Sequence, residues 1–347
     1  EVIMDKKKYV DIGGQAVMEG VMMKGPDAIG IAVRRKNGDI LVSYEKTAAK
    51  KENKFLKLPF IRGIVNFGSM MAMGMRVLEK STNMLGVVDE EPSKFEKWIS
   101  KTFGKSIEKV VMAVAMLLAV LFSVLLFFMI PEGFAVLLRR ANMSHALVNL
   151  ISGLLRILIL MSYMLVISFV PDIRRTFMYH GAEHKTVYCH ENNLELTPEN
   201  AQSFSRLHPR CGTSFILIVF IISIVLFTLV GYQGHNYLIR LLSRLALLPI
   251  VAGISYEVLK GLAHSNSRLA KILRYPGLQL QNLTTREPDD RMLECAIVAM
   301  NTALYGLPKH AEKDSNGYSI LKDYRESDPD YVPTAAASDE SSVNEAP

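Results

Sequence analysis

Cysteine is scarce in this chain. Its 347 residues hold three, Cys189, Cys211 and Cys295. That is too few, and too odd a number, for a disulfide framework, and a reducing compartment suits all three thiols. A basic cluster interleaved with aromatics is also missing. The 40 Lys and Arg outnumber the 34 Asp and Glu by a net +6 but are spread along the chain, which is not the footprint of a nucleic-acid reader. Nor does an apolar run follow the N-terminal lysines, as it would in a signal peptide.

Hydrophobicity is plentiful: 50% of residues are hydrophobic beside a 21% charged fraction, and mean hydropathy is +0.19. The excess is concentrated in four runs, at 110–130, 147–170, 214–232 and 237–258. Each is long enough to cross a bilayer. Pro131 is expected to end the first. Arg156 interrupts the second, and a short link with Gln233, Gly234 and His235 precedes the fourth. The fourth also carries Arg240 and Arg244, expected to snorkel toward the interface, and Glu257, expected to meet interfacial water. Lys94, Lys97, Lys101, Lys105 and Lys109 precede the first run. Arg174, Arg175, Lys185, Arg206 and Arg210 lie between the second and third, and Lys260, Arg268, Lys271 and Arg274 follow the fourth. The positive-inside rule puts these three regions, and both termini, in the cytoplasm.

The expected fold is an α-helical polytopic membrane protein with small cytosolic appendages. Residues 1–55 read as a β-rich piece: 29–46 form two strand-like runs around Asn37-Gly38, a strong hairpin signal. Residues 56–109 read as interfacial or docked helices, where Gly68 and Ala72 form a small-xxx-small pair suited to close helix packing. Four transmembrane helices fill 110–260 and enclose a cytosolic loop at 171–213. Within a helical segment at 261–311, Pro288, Asp289 and Asp290 mark the start of a helix. The polar tail, 312–347, is expected to be disordered.

The chemistry concentrates in the loop. "YHGAEHKTVYCHE" (179–191) contains His180-x-x-Glu183-His184, which fits the H-x-x-E-H signature. Positions four apart share a helix face, so both histidines can reach one ion, with Glu183 beside them to take a proton from water. Gly181 weakens the helix by about 1 kcal/mol. "HPRC" places His208 and Cys211 three apart before the third run. His180, His184, His208 and Cys211 together would suit tetrahedral zinc. Four protein ligands make a closed structural site, whereas three leave a position for chemistry. Lys185, Arg206 and Arg210 are candidates to hold an anionic substrate group. Cys189, His190 and Glu191 are spare candidates.

"GGQAVMEGVMM", "HGAEHK", "HPRCGTSF", "GISYEVLK" and "PGLQLQNLTTREPDD" together resemble the YqhQ-like family of bacterial membrane proteins, over about residues 10–305. The resemblance implies a multi-pass protein of the bacterial cytoplasmic membrane, from a family of unknown function labelled a predicted metal-dependent enzyme. It also implies genes near those of translation termination and ribosomal proteins. Two functions follow as expectations. One is a zinc-dependent membrane hydrolase with Glu183 as base, facing the cytoplasm. The other is a non-catalytic scaffold or accessory factor in membrane-protein biogenesis or translation. In the second, a structural metal or His cluster pins the membrane helices, and the lipid bilayer and a protein are the partners.

Overall fold

A computed structural model describes residues 12–47, 58, 61–86, 107–230, 236–265, 267–308 and 311–331. The lysines from 94 to 105, the Gln233-Gly234-His235 link and the last sixteen residues of the tail lie outside them.

The N-terminal piece is β-structure, as its alternation and turn residues require. Strands β1 (Gly13–Val17), β2 (Gly20–Lys24), β3 (Ala28–Arg34) and β4 (Ile40–Lys46) form an antiparallel meander. The β3–β4 turn contains Asn37-Gly38, with Gly38 at φ +99°. The sheet is larger than the N-terminus alone. Strands β5 (Glu312–Lys313) and β6 (Ser319–Leu321) complete the order β1-β2-β3-β4-β6-β5. Disorder from residue 312 is therefore corrected for 312–331. Leu321 is fully buried, and a capped 3-10 turn follows at Tyr324–Ser327. Leu321, with Tyr318, Ile320 and Tyr324 packed against the sheet's two cores, and the edge of β4 order a polar segment whose composition alone reads as disorder.

Both faces of the sheet are covered. Helix α1 (Ile61–Leu85) lays Val77 and Met84 against Val17, Met22, Ile31 and Leu41. The opposite face meets two helices met further along the chain. At its N-terminal end α1 instead follows a membrane-spanning helix. The close approach there is at Gly63, whose added Cβ would stand 3.0 Å from the Gly253 Cα, and not at Gly68, which meets nothing within 4 Å.

The first span begins as α2 (Ile107–Val124) and passes through a π-helical turn, Leu125–Met129, into α3 (Ile130–Arg140). Pro131 does not end it. Proline lacks the N–H that would bond the carbonyl four residues back, here that of Phe127, and a π-bulge is a common way to absorb the clash. Arg156 Nε donates to the Phe127 carbonyl at 3.2 Å, so an arginine from the next span replaces the missing bond. That span is α4 (His145–Ile167). It leads into α5 (Pro171–Glu191), a short α6 (Pro198–Gln202), α7 (Gly212–Leu229), α8 (Tyr237–His264), α9 (Arg268–Thr284) and α10 (Asp290–Tyr305). Among the described residues, four helices are long and apolar enough to cross a membrane: Val114–Arg140, His145–Ile167, Gly212–Leu229 and Leu238–Leu262. Their outward faces carry exposed Leu, Phe and Val, as a lipid-facing surface does.

Arg240 and Arg244 do not snorkel. They are 2% and 4% exposed and both pair with Glu132 of α3. Glu257 meets Arg62 of α1, which donates through Nε at 2.7 Å and Nη2 at 2.5 Å. This pair and the Asn66–Tyr256 hydrogen bond tie α1 to α8. Helix α10 lies on the sheet with Leu293, Ile297 and Met300 fully buried. Its first helical residue, Asp290, lies two residues after Pro288: Asp289 is the N-cap, accepting from Met292 N at 2.9 Å. Helices α5 and α10 share one core with β2, β3 and β4.

Candidate metal centre

The H-x-x-E-H stretch is helical, in the middle of α5. Gly181, the residue that counts against a helix there, is needed for packing. A Cβ at this position would sit 2.1 Å from the Arg286 carbonyl oxygen. The chain between α9 and α10 crosses α5 at that point, and Arg286 N donates to the Phe177 carbonyl at 2.9 Å. Any other side chain would push the crossing segment away.

Two contacts fix the histidines. His180 Nδ1 lies 2.9 Å from the Thr284 carbonyl, and His184 Nδ1 lies 2.5 Å from the Arg206 carbonyl. A carbonyl oxygen only accepts, so both Nδ1 atoms carry the proton. In the neutral rings, Nε2 is then a lone pair. Outer partners of this kind set the tautomer and orientation of metal-binding histidines. Burial lowers the His184 pKa below its ordinary value, which favours the neutral ring. Cys211 is the N-cap residue of α7, and its Sγ lies 3.2 Å from His180 Nε2. The ligand atoms of His180, His184 and Cys211 all fall within 4.8 Å of one another. Among the described residues, His184 Nε2 is buried with no hydrogen-bond partner. The Cys211 thiol can donate to the His180 Nε2 lone pair, and the same three donor atoms are close enough together to share one ion. Two nitrogens and one sulfur are donors of the type zinc takes.

Glu183 stands beside this group. Its Oε1 accepts the backbone N–H of Gly14 in β1 at 2.9 Å. Its Oε2 lies 3.4 Å from His184 Nε2. Burial raises its pKa, while His180, His208 and the Gly14 N–H oppose the shift.

His208, expected as a fourth ligand, is placed differently. Its ring is 5.7 Å from that of His184 and packs edge-on against Tyr188 at 4.4 Å. Its Nδ1 accepts from Arg210 N at 3.3 Å, so the proton sits on Nε2, 3.3 Å from Glu191 Oε1. This tautomer offers the group no lone pair. Burial lowers the His208 pKa as well. The three candidate anion-holding cations have protein partners. Lys185 Nζ donates to the carbonyls of Gln202 and Phe204 at 3.0 and 2.8 Å, and Arg206 Nη1 donates to Thr285 Oγ1 at 2.7 Å. Both also pair with Glu287, and Arg210 pairs with Glu191. Of the spare candidates, Cys189 donates to the Glu195 carbonyl at 3.3 Å, and burial pushes its pKa up to about 11.

Two supporting residues were missed in the sequence reading. The Gln281 side chain, fully buried in α9, accepts from His208 N and donates to the His208 carbonyl, both at 2.8 Å. It thus holds the turn that delivers Cys211. Gly14 is the other. Both lie inside strings that the family resemblance singled out, but an amide and a glycine carry no chemical signature of their own. A cavity of about 210 Å³ adjoins the site. His180 forms part of its wall, and the remainder is largely apolar: Leu160, Met164, Phe177, Ile216 and Leu280.

Residues 58–305 match the family described as "Protein of unknown function (DUF1385)". The chain is also 39% identical over 295 residues to "Uncharacterized protein YqhQ" of Bacillus subtilis (strain 168), covering 84% of this chain and 92% of that protein. No solved structure matches significantly. The chain belongs to this YqhQ-like family.

Proposed function

We propose that this member of the family is a zinc-dependent membrane hydrolase acting on a substrate with an apolar chain. The carrying observation is the convergence of His180 Nε2, His184 Nε2 and Cys211 Sγ, with both rings locked in the ligand tautomer. Three protein donors leave a fourth position open, the arrangement of catalytic sites. Zinc, when bound there, supplies Lewis acidity. Glu183 is the general base: Gly14 anchors Oε1, and Oε2 is left to take the proton of an attacking water. A carboxylate with a raised pKa is a better base near neutral pH. The protonated acid then returns that proton to the leaving group. The apolar cavity beside His180 receives the hydrocarbon part of the substrate and excludes water. The engaged state of Lys185, Arg206 and Arg210 argues against a large anionic headgroup as the main recognition element. The flanking Lys and Arg support a cytoplasmic position for the site and both termini.

A second reading rests on the position of Cys211. It caps α7 while the histidines lie on α5, so a metal here also pins the two helices and positions the sheet for a protein partner in membrane-protein biogenesis. One comparison separates the readings. Zinc content and hydrolysis of a long-chain acyl ester are measured in proteoliposomes for wild type, Glu183→Gln and His184→Ala. The hydrolase requires Glu183→Gln to keep zinc and lose turnover. Wild-type protein with zinc and no turnover on any acyl, amide or phosphoester lipid favours the scaffold. Absence of zinc from the protein purified without chelator removes both metal readings.

A further inference from the structure

The other end of the helical bundle holds a second, unrelated cluster. Phe227 lies near the opposite end of α7 from Cys211, about 24 Å along the axis. Its carbonyl accepts from Asn149 Nδ2 at 3.3 Å, and its ring lies 5.4 Å from the Arg244 guanidinium. Around this point Glu132 meets three arginines. Arg240 Nε is 2.7 Å from Oε1, Arg139 Nη1 is 3.2 Å from Oε1, and Arg244 pairs with Oε2. Arg244 also donates to Asn149 Oδ1 at 3.3 Å. Arg156, 7% exposed, feels the charges of both Arg244 and Glu132. Four guanidinium groups thus surround one carboxylate. Apart from Glu257, which is engaged by Arg62, Glu132 is the sole acid in the four spans.

Ionisable groups inside membrane spans are costly and are balanced by partners or mark a ligand path. Here the balance falls short by three charges. The hydrogen-bond count falls short as well: among the described residues, Arg139 Nε and Nη2, Arg156 Nη2 and Arg240 Nη1 are buried without a hydrogen-bond partner. A guanidinium is a planar fork matched to carboxylate and phosphate oxygens. We propose that this cluster is a binding site for a phosphate-type oxyanion, either the headgroup of an anionic phospholipid or a free phosphate. The anion bridges Arg139, Arg156 and Arg240 through the unused N–H groups, and Arg139, with a 15% exposed side chain, forms the accessible edge. Glu132 is then the built-in competitor, which keeps the arginines ordered when the anion is absent.

The competitor gives the test its sign. The full chain is placed in phosphatidylcholine nanodiscs. Its thermal midpoint is followed at constant ionic strength against inorganic phosphate with chloride as reference, and against phosphatidylglycerol. Native mass spectrometry counts retained lipid. Wild type is expected to be stabilised by phosphate over chloride, or to retain one phosphatidylglycerol per chain. The first outcome identifies a soluble anion and the second a lipid. Arg139→Gln, which leaves Glu132 two arginines, is expected to weaken binding about tenfold, the loss of one charge-assisted hydrogen bond. Glu132→Gln is expected to tighten it. No preference over chloride in either arm overturns the site, and so does a folded Glu132→Gln protein that binds no more tightly than wild type. If Glu132→Gln fails to fold, Arg240→Gln takes its place, and unchanged affinity there overturns it equally.

Discussion

Oε1 of Glu183 accepts the Gly14 N–H across 2.9 Å, so the acid in the middle of α5 is aimed by the first strand of the sheet. The approach is tight. A Cβ on Gly14 would stand 2.5 Å from Glu183 Cγ and 2.8 Å from the Met22 carbonyl oxygen. Gly14→Ala is therefore expected to displace the carboxylate and to cost about 1–3 kcal/mol, as overpacking does. Its zinc content should match wild type while its hydrolytic rate falls toward that of Glu183→Gln. A variant with unchanged thermal midpoint and unchanged rate would show that the strand does not position the acid.

The tautomers divide the four candidate ligands into three and one. His180→Ala, His184→Ala and Cys211→Ser should each lower zinc stoichiometry, because each removes one of three converging donors. His208→Ala should keep the metal, since its Nδ1 is already engaged by Arg210 N. Inductively coupled plasma mass spectrometry on the purified proteins decides it. Metal loss in His208→Ala equal to that in Cys211→Ser would require the turn at 208–211 to rearrange around the ion.

The strand pair after residue 311 is expected to carry stability. Truncation after Leu307 removes the β4–β6 pairing, the buried Leu321 and the Asn301–Ser327 hydrogen bond at 3.1 Å. Burial of one leucine contributes about 1.5–3 kcal/mol, and the freed edge of β4 invites aggregation. Truncation after Tyr331 leaves these contacts in place. The first variant should melt several degrees lower and elute partly as aggregate. Identical melting of the two would mean that the hairpin contributes nothing.

The parts of this architecture governed by local pattern were legible in the sequence. Four apolar runs became four long apolar helices, Asn37-Gly38 became a hairpin turn, and three of four candidate ligands converged. What escaped depends on partners far along the chain. Pro131 stops a helix unless an arginine from elsewhere satisfies Phe127, and Arg156 does so. Arg240 and Arg244 look free to snorkel until Glu132, more than a hundred residues earlier, is brought against them. Gly181 reads as a helix weakness because the Arg286 carbonyl that requires it is a hundred residues away. His208 has the right residue type and spacing, and only the Arg210 amide decides which nitrogen carries the proton.

The two thiols in the core make a pH prediction with a definite sign. Cys295 is fully buried under β3, where its Sγ lies 3.2 Å from the Ala32 carbonyl. Burial pushes its pKa up to about 12, and that of Cys189 up to about 11, from an ordinary 9.0. Below pH 9 both thiols are protonated in the folded and unfolded chains, and stability does not respond to them. Between pH 9 and about 11 the unfolded chain releases protons that the folded chain keeps. Stability must then fall as pH rises, by about 1.4 kcal/mol per pH unit for each thiol. Tyr179 and Tyr188, also raised by burial, add to the fall above pH 10. Cys295→Ala removes one thiol from this linkage. Its thermal midpoint should decline less steeply than that of wild type over this range, whatever its offset at pH 8. At pH 8 the folded protein should also leave both cysteines unmodified by iodoacetamide. Parallel pH profiles for variant and wild type, or rapid alkylation of Cys295 in the folded state, would show that the thiol ionises within the fold as readily as outside it.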